Sequence, residues 1–200
     1  MPERASVKII GLCGYARCGK DSLASFLSVE HGYQRIAFAD KLRDMLYALN
    51  PLIGAGFEEA DGYTWTTRVQ DLVDNVGWDR AKEGYPEIRA LLQRLGTEAG
   101  RTVLGENVWV DASLRDLDPA GRYVVTDVRF PNEFAAIEER GGVMVRVLRP
   151  GYEPVNGHSS ETALDDVDCD YVFRNNAGLN QMRAAADRIV AAYEESFHGV

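Results

Sequence analysis

The sequence predicts an α/β fold: a five-stranded parallel sheet flanked by helices. Three observations predict it. Short apolar runs bounded by turn residues recur at 7–12, 33–38, 123–127, 143–148 and 171–173. Stretches with helical apolar spacing separate and follow them. A glycine-rich loop joins the first run to the first helix. Alternating strands and helices with right-handed crossovers place helices on both faces of a parallel sheet, a doubly wound arrangement.

The first strand (Val7, Ile9, Ile10, Leu12) breaks into a loop with Gly11, Gly14 and Gly19, then runs into Lys20-Asp21-Ser22 and an apolar helix face of Leu23, Ala24, Phe26 and Leu27. Strand, glycine loop, Lys, hydroxyl, helix is the order of a phosphate-binding P-loop. Glycines let backbone N–H groups turn inward and approach an anion closely. The helix N-terminus adds unpaired donors and a partial positive charge. Lys20 adds a mobile full charge. Gly14-x4-Gly19-Lys20 fits the motif, but Asp21 stands where Ser or Thr is usual, and Ser22 follows one place later. The competing reading is a glycine turn opening a helix that Asp21 or Ser22 caps.

The second strand ends at Ala39-Asp40, with Asp40 the expected N-cap of a helix over 41–47 that carries Lys41 and Arg43. Cations in such a first turn lie at the strand's C-terminal edge, where ligands bind in open parallel sheets. They equally suit a solvated helix face. Asn50-Pro51 stops this helix. Residues 52–66 read as irregular, with Gly54, Gly56, Gly62 and acidic Glu58, Glu59 and Asp61. Helices are expected over 67–83 and from Pro86 through Leu95. No strand is expected in 52–105, which reads as a helical insertion. Gln93–101 is dense in hydrogen-bonding and small residues, and alone is a helix end with a Gly cap.

A helix follows Val108-Trp109-Val110-Asp111. The next strand ends in Asp127, and an acid at such a strand end commonly holds Mg²⁺ in P-loop proteins. Arg129, two residues on, suits bidentate phosphate contact, or else bridges Asp127 in a turn. A helix over 133–140 and the strand 143–148 come next. The loop 149–169, with Pro150, Gly151, Pro154 and Gly157 and then Glu161, Asp165, Asp166 and Asp168, reads as a lid. It carries no Arg or Lys between Arg149 and Arg174. A short last strand, Asn175-Asn176 and a helix over 178–197 close the chain. We read one P-loop domain over 1–200, with the insertion at 50–105.

Two hundred residues with 46% hydrophobic and 26% charged content suit one α/β domain. The net charge of −9 argues against coating a nucleic acid polymer, but not against nucleotides, whose phosphates need only a local cluster of cations. No apolar signal core or membrane-length run is seen. Cys13, Cys18 and Cys169 are odd in number and not spaced as a metal site. They read as reduced thiols, and Cys13 and Cys18 as small residues filling tight space, so a cytoplasmic location is expected.

A P-loop commits the chain to a nucleoside triphosphate and Mg²⁺ but not to a reaction. A small-acceptor kinase needs a second anion site, for which Lys41, Arg43, Arg68, Arg94, Arg101 and Arg129 are candidates. A GTPase would tend to show Asn-Lys-x-Asp after a later strand.

Gly14-x4-Gly19-Lys20-Asp21-Ser22, 37–43 (Ala-Phe-Ala-Asp-Lys-Leu-Arg), Leu95-Gly96-Thr97-Glu98, 127–133 (Asp-Val-Arg-Phe-Pro-Asn-Glu) and His158-x-Ser160-Glu161 together resemble the bacteriophage deoxynucleoside monophosphate kinase family. The likeness runs from residue 7 to about 180, and the Asp21 departure is similar to the family pattern. The resemblance implies a nucleoside-monophosphate-kinase core with a substrate-binding insertion, transfer of the ATP γ-phosphoryl group to a dNMP, and often a dimer in the cytoplasm of the phage's host. It implies that Gly14, Arg17, Gly19, Lys20, Asp21 and Ser22 cradle ATP, with Asn175 near adenine. Asp21 or Ser22 would face Mg²⁺, with Asp127 behind. Lys41, Arg43 and Arg129 would face the dNMP phosphate, Asp40 and Arg68 would also bind the dNMP, and Gln93, Thr97 and Glu98 would touch its base or sugar. A lid arginine of the kind monophosphate kinases use would be Arg149, or else Arg129 and the insertion would carry that role. Lys20, Asp127 and Arg129 would be catalytic. Two alternatives stand beside it: a P-loop kinase of another small acceptor such as dephospho-coenzyme A, and a nucleotide-binding module without catalysis.

Overall fold

The computed structural model describes residues 7–58, 63–152 and 162–198. It divides into two compact units, Met1–Phe38 with Ser113–Val200, and Ala39–Ala112. The second is wider than the insertion expected at 50–105.

The first unit holds the predicted parallel sheet. Its strands are β1 (Lys8–Cys13), β2 (Gln34–Ile36), β5 (Arg122–Val125), β6 (Val143–Leu148) and β7 (Tyr171–Arg174), in the order β2-β5-β1-β6-β7. The apolar run of β1 takes the centre because both its faces are covered. Ile9, Ile10 and Leu12 are fully buried, as expected of a parallel strand between helical layers. Its register runs Ile9 to Tyr123 on one side and Leu12 to Val145 on the other.

Helix α1 (Lys20–His31) and the C-terminal helix α7 (Leu179–His198) cover one face. Leu23 and Leu27 of α1 and Met182, Ala186 and Ile189 of α7 close a core with Ile10, Val124 and Val145. Tyr193 is buried in it, donating to the Gly141 carbonyl at 2.9 Å and accepting from the Ile9 N–H at 3.2 Å. Helix α6 (Pro131–Glu138) supplies Ile137, which abuts Gly11 and Gly142. It starts two residues earlier than expected, because Pro131 is suited to a first helical turn.

The second unit corrects the expectation of a strand-free insertion. After α2 (Phe38–Leu49), an antiparallel hairpin forms from β3 (Leu52–Glu58) and β4 (Tyr63–Arg68), with a register shift between Gly54 and Gly56. The run Tyr63-Thr64-Trp65-Thr66-Thr67 is aromatic and β-branched, which favours a strand. The glycines of β3 are absorbed by the irregular register. Glu59 and Asp61 lie outside the described residues. Helices α3 (Val69–Gly84) and α4 (Pro86–Gln93) follow, α3 interrupted at Gly77, whose φ is 77°. Leu46, Ile53, Val69, Leu72, Ala81 and Ile88 form this unit's core.

The chain then runs on into a π-helix over Arg94–Leu104 rather than ending at a Gly cap. Gly100 fits here because a Cβ would lie 2.6 Å from the Trp109 ring. Trp109, on α5 (Val108–Leu114), donates its indole N–H to the Gly96 carbonyl at 2.9 Å. Among the described residues no helix is long and apolar enough to cross a membrane.

Candidate active site

The loop 14–19 leaves the C-terminal end of the central strand and enters α1 directly. Gly14 has φ 129° and Gly19 φ 111°. A Cβ at Gly14 would collide with the Val147 carbonyl oxygen, and one at Gly19 would lie 2.6 Å from Asn175 Nδ2. Both positions therefore require glycine for conformation and for space. Arg17 also adopts a left-handed conformation (φ 62°), unusual for a residue with a side chain and typical of functional loops.

Lys20 Nζ donates to the Gly14 carbonyl at 2.6 Å and the Tyr15 carbonyl at 2.8 Å, with Cys18 Sγ at 3.7 Å. The ammonium thus lies across its own loop. Asp21 and Ser22 are exposed in the first turn of α1. Asp21 faces Arg35 of β2 at 3.6 Å, an ion pair the sequence reading did not foresee.

The next strand over, β5, brings Asp127 and Arg129 into the same unit. Asp127 Oδ1 accepts from the Phe38 N–H at 2.8 Å. The helix expected from residue 41 therefore begins at Phe38, with Asp127 receiving its first N–H and Asp40 inside its first turn rather than at its N-cap. The backbone N–H of Arg129 donates to Glu133 Oε2 at 2.7 Å, and the Arg129 side chain is exposed. Arg129 lines a small cavity with Gly14, Tyr15, Arg146 and Asp165.

On the other side of the loop, Arg17, Gly19, Ser22, Asn175 and Leu179 line an open cleft of about 340 Å³, with Arg149 at its wall. Its lining combines the first turn of α1 with the apolar side chains of Leu179 and Met182, a mix that suits a nucleotide. Asn175 lines this cleft, and its Nδ2 donates to the Cys18 carbonyl at 2.9 Å. It braces the loop. Arg149 donates to the Arg17 carbonyl at 3.5 Å and stacks over Tyr152, 4.5 Å from the ring centre. The centre of the predicted lid, 153–161, and with it His158, Ser160 and Glu161, lies outside the described residues.

Sequence reasoning missed the groups that hold the loop from the far side. Arg146 donates to the carbonyls of Leu164, 2.6 Å away, and Val167, 2.5 Å away. The Tyr15 hydroxyl donates to Asp165 at 3.0 Å. A charge inside the apolar run 143–148 was the available signal. Behind the loop, Cys13 and Cys169 lie 3.5 Å apart at sulfur. The hydrogen bond from Cys13 holds the Cys169 thiol down at about 7, while that bond and burial push Cys13 up.

The remaining predicted acceptor residues belong to the second unit. Lys41 is exposed, and Arg43 is bonded to Asp40 at 3.1 Å. Arg68 donates to the Asn50 carbonyl at 2.9 Å, bracing the end of the hairpin. Gln93, Thr97 and Glu98 are exposed, with Glu98 3.6 Å from Arg94.

A family model described as deoxynucleotide monophosphate kinase matches residues 57–185, which takes in the Asp127–Glu133 segment. The chain belongs to the deoxynucleotide monophosphate kinase family. The resemblance drawn from its motifs is borne out, and membership makes the protein a phosphotransferase. It is 29% identical over 187 residues to a protein of Acanthamoeba polyphaga mimivirus bearing the same description, covering 86% of this chain and 91% of that one. It is 30% identical over 108 residues to the deoxynucleotide monophosphate kinase of Escherichia phage RB69, covering 52% of this chain but 44% of the phage protein. The chain thus spans nine-tenths of the viral relative and under half of the phage one. Among solved structures, dephospho-CoA kinase from Campylobacter jejuni aligns over 94% of this chain and 98% of its own, at 14% identity and a TM-score of 0.42.

Proposed function

We propose that the protein transfers the γ-phosphoryl group of Mg·ATP to a deoxynucleoside monophosphate, giving ADP and a deoxynucleoside diphosphate. An oxygen of the acceptor phosphate forms the new P–O bond as the β,γ-bridging oxygen leaves with ADP. The observation that supports this reading is the placement, within one compact unit, of the Lys20 loop after the central strand and of Asp127 and Arg129 just past the end of the strand beside it. Phosphoryl transfer needs positioning and cations more than covalent catalysis.

The triphosphate rests on the N–H groups of the loop and of the first turn of α1, with Lys20 moving from the loop carbonyls to the outer phosphates. Adenosine occupies the cleft beside Asn175 and Leu179, with Arg17 and Arg149 at its rim. Asp21, Ser22 and Asp127 are oxygen donors of the kind that suit Mg²⁺. Among the described residues no three His, Cys, Asp or Glu side chains converge on a metal site, so phosphates and water would complete the shell. Bound there, the ion would neutralise charge on the β- and γ-phosphates. Arg129 serves the transferring group. Lys41 and Arg43 serve the acceptor phosphate, and Gln93, Thr97 and Glu98 its base or sugar. A homodimer is part of the same reading.

Purified protein assayed for ADP release with each of the four common dNMPs, and with dephospho-coenzyme A as a further acceptor, tests this. Turnover that depends on a dNMP is expected. No acceptor-dependent turnover with any dNMP would overturn the reading, and light scattering tests the dimer.

A further inference from the structure

Glu133 is buried, only 3% exposed, and is the charged side chain so enclosed among the described residues. It sits in the first turn of α6. Its backbone N–H donates to the Phe130 carbonyl at 3.1 Å, and its Oε2 accepts from the Phe130 N–H at 3.2 Å. Glu133 thus caps the Phe130 N–H as the third residue of a capping box does, while Phe130, which has no side-chain oxygen, takes the Glu133 N–H on its backbone carbonyl. Glu133 Oε2 also accepts the Arg129 N–H, at the shorter distance of 2.7 Å. Capping a helix does not require this second bond, which reaches one residue further into the loop. Nor does a cap require burial, since short exposed polar residues serve it well. A buried carboxyl needs donors to offset its lost hydration, and Glu133 takes both of these from the segment that presents Arg129.

We propose that Glu133 is a positioning residue for phosphoryl transfer. It fixes the backbone at Arg129 so that the exposed guanidinium is held at the cavity beside Gly14 and Tyr15. The inference rests on the role given to Arg129 above.

Glu133→Ala, Glu133→Gln, Arg129→Ala and the double variant separate the possibilities by steady-state kinetics well below the melting temperature. Glu133→Ala is expected to lower kcat by roughly 30-fold with the KM for ATP within about twofold, because misplacing a catalytic group by about an ångström costs on that order. Glu133→Gln, whose amide oxygen can accept the same two N–H groups, is expected to recover most of the loss. Adding Glu133→Ala to Arg129→Ala should change little further, since both act through one group. If Glu133→Ala does not fold, Glu133→Asp, one methylene short of Arg129, should show the same kcat loss. A lowered melting temperature with unchanged kcat per folded molecule overturns the proposal, as do losses that multiply in the double variant. Full activity in Arg129→Ala would instead overturn the role of Arg129, so the two failures are told apart.

Discussion

The ammonium of Lys20 lies 2.6 Å from the carbonyl oxygen of Gly14, six residues back along the same loop. A long flexible cation is thus held on neutral acceptors, from which a phosphate oxygen, being charged, can draw it. Lys20→Ala should lower kcat/KM by about 10²–10³-fold, the usual cost of losing one group aimed at transition-state charge. Its melting temperature should move by less than about 3 °C, because Gly14, Tyr15 and Lys20 are only partly buried and none belongs to the core. Near-normal turnover in this variant would refute the role assigned to Lys20.

Arg129→Ala should lower kcat/KM by at least about 100-fold if the guanidinium meets the transferring group. Adding guanidinium ion to the assay should restore part of the activity. A change confined to the melting temperature would reduce Arg129 to a turn residue.

Asn175 holds the Cys18 carbonyl at 2.9 Å through its amide. Asn175→Ala removes a hydrogen bond of about 1 kcal/mol, so the KM for ATP should rise roughly fivefold with kcat little changed. A raised kcat effect with intact ATP binding, read by calorimetry, would show that the brace acts elsewhere.

Asp21 and Ser22 can be separated by titrating Mg²⁺ at fixed ATP. Asp21→Asn removes a charge from the oxygen donor set, whereas Ser22→Ala removes a neutral ligand, so Asp21→Asn should raise the half-saturating Mg²⁺ concentration more, by about tenfold. Equal shifts in both variants would contradict this ranking.

Cys169 should be the first thiol to alkylate. Its pKa is lowered to about 7 chiefly by the hydrogen bond from Cys13, so the reactive thiolate forms as pH rises through that value. Iodoacetamide labelling followed by peptide mapping should give a midpoint near about 7 for Cys169, with Cys13 slower. In Cys13→Ala the midpoint should move upward; an unmoved midpoint would assign the shift to another neighbour.

The sheet was legible because each of its five strands is an apolar run between turn residues, and the loop because its glycines, Lys20 and the following helix occur in fixed order. The hairpin over 52–68 was not, because Gly54, Gly56 and Gly62 masked a β-branched and aromatic second strand. The start of α2 at Phe38 was hidden because the group receiving its first N–H is Asp127, 89 residues away in sequence. Arg68 read as a candidate for the second anion site, and its bond to the Asn50 carbonyl, 18 residues back, could not be seen in the sequence. The parts of the site carried by local order could be read. Those carried by distant hydrogen bonds, Arg146 to the loop before β7 above all, could not.

The central position of β1 also governs when the site can come into being during synthesis. Residues Lys8–Cys13 find their sheet partners only in Arg122–Val125 and Val143–Leu148. Contacts so far apart in the chain form slowly, and domains assemble as units while the ribosome is still adding residues. A nascent chain stalled before residue 122 holds every loop residue assigned above to the triphosphate, yet lacks the two strands that keep the loop in place. ATP retention by stalled chains of increasing length should therefore switch on only once β6 has emerged from the exit tunnel.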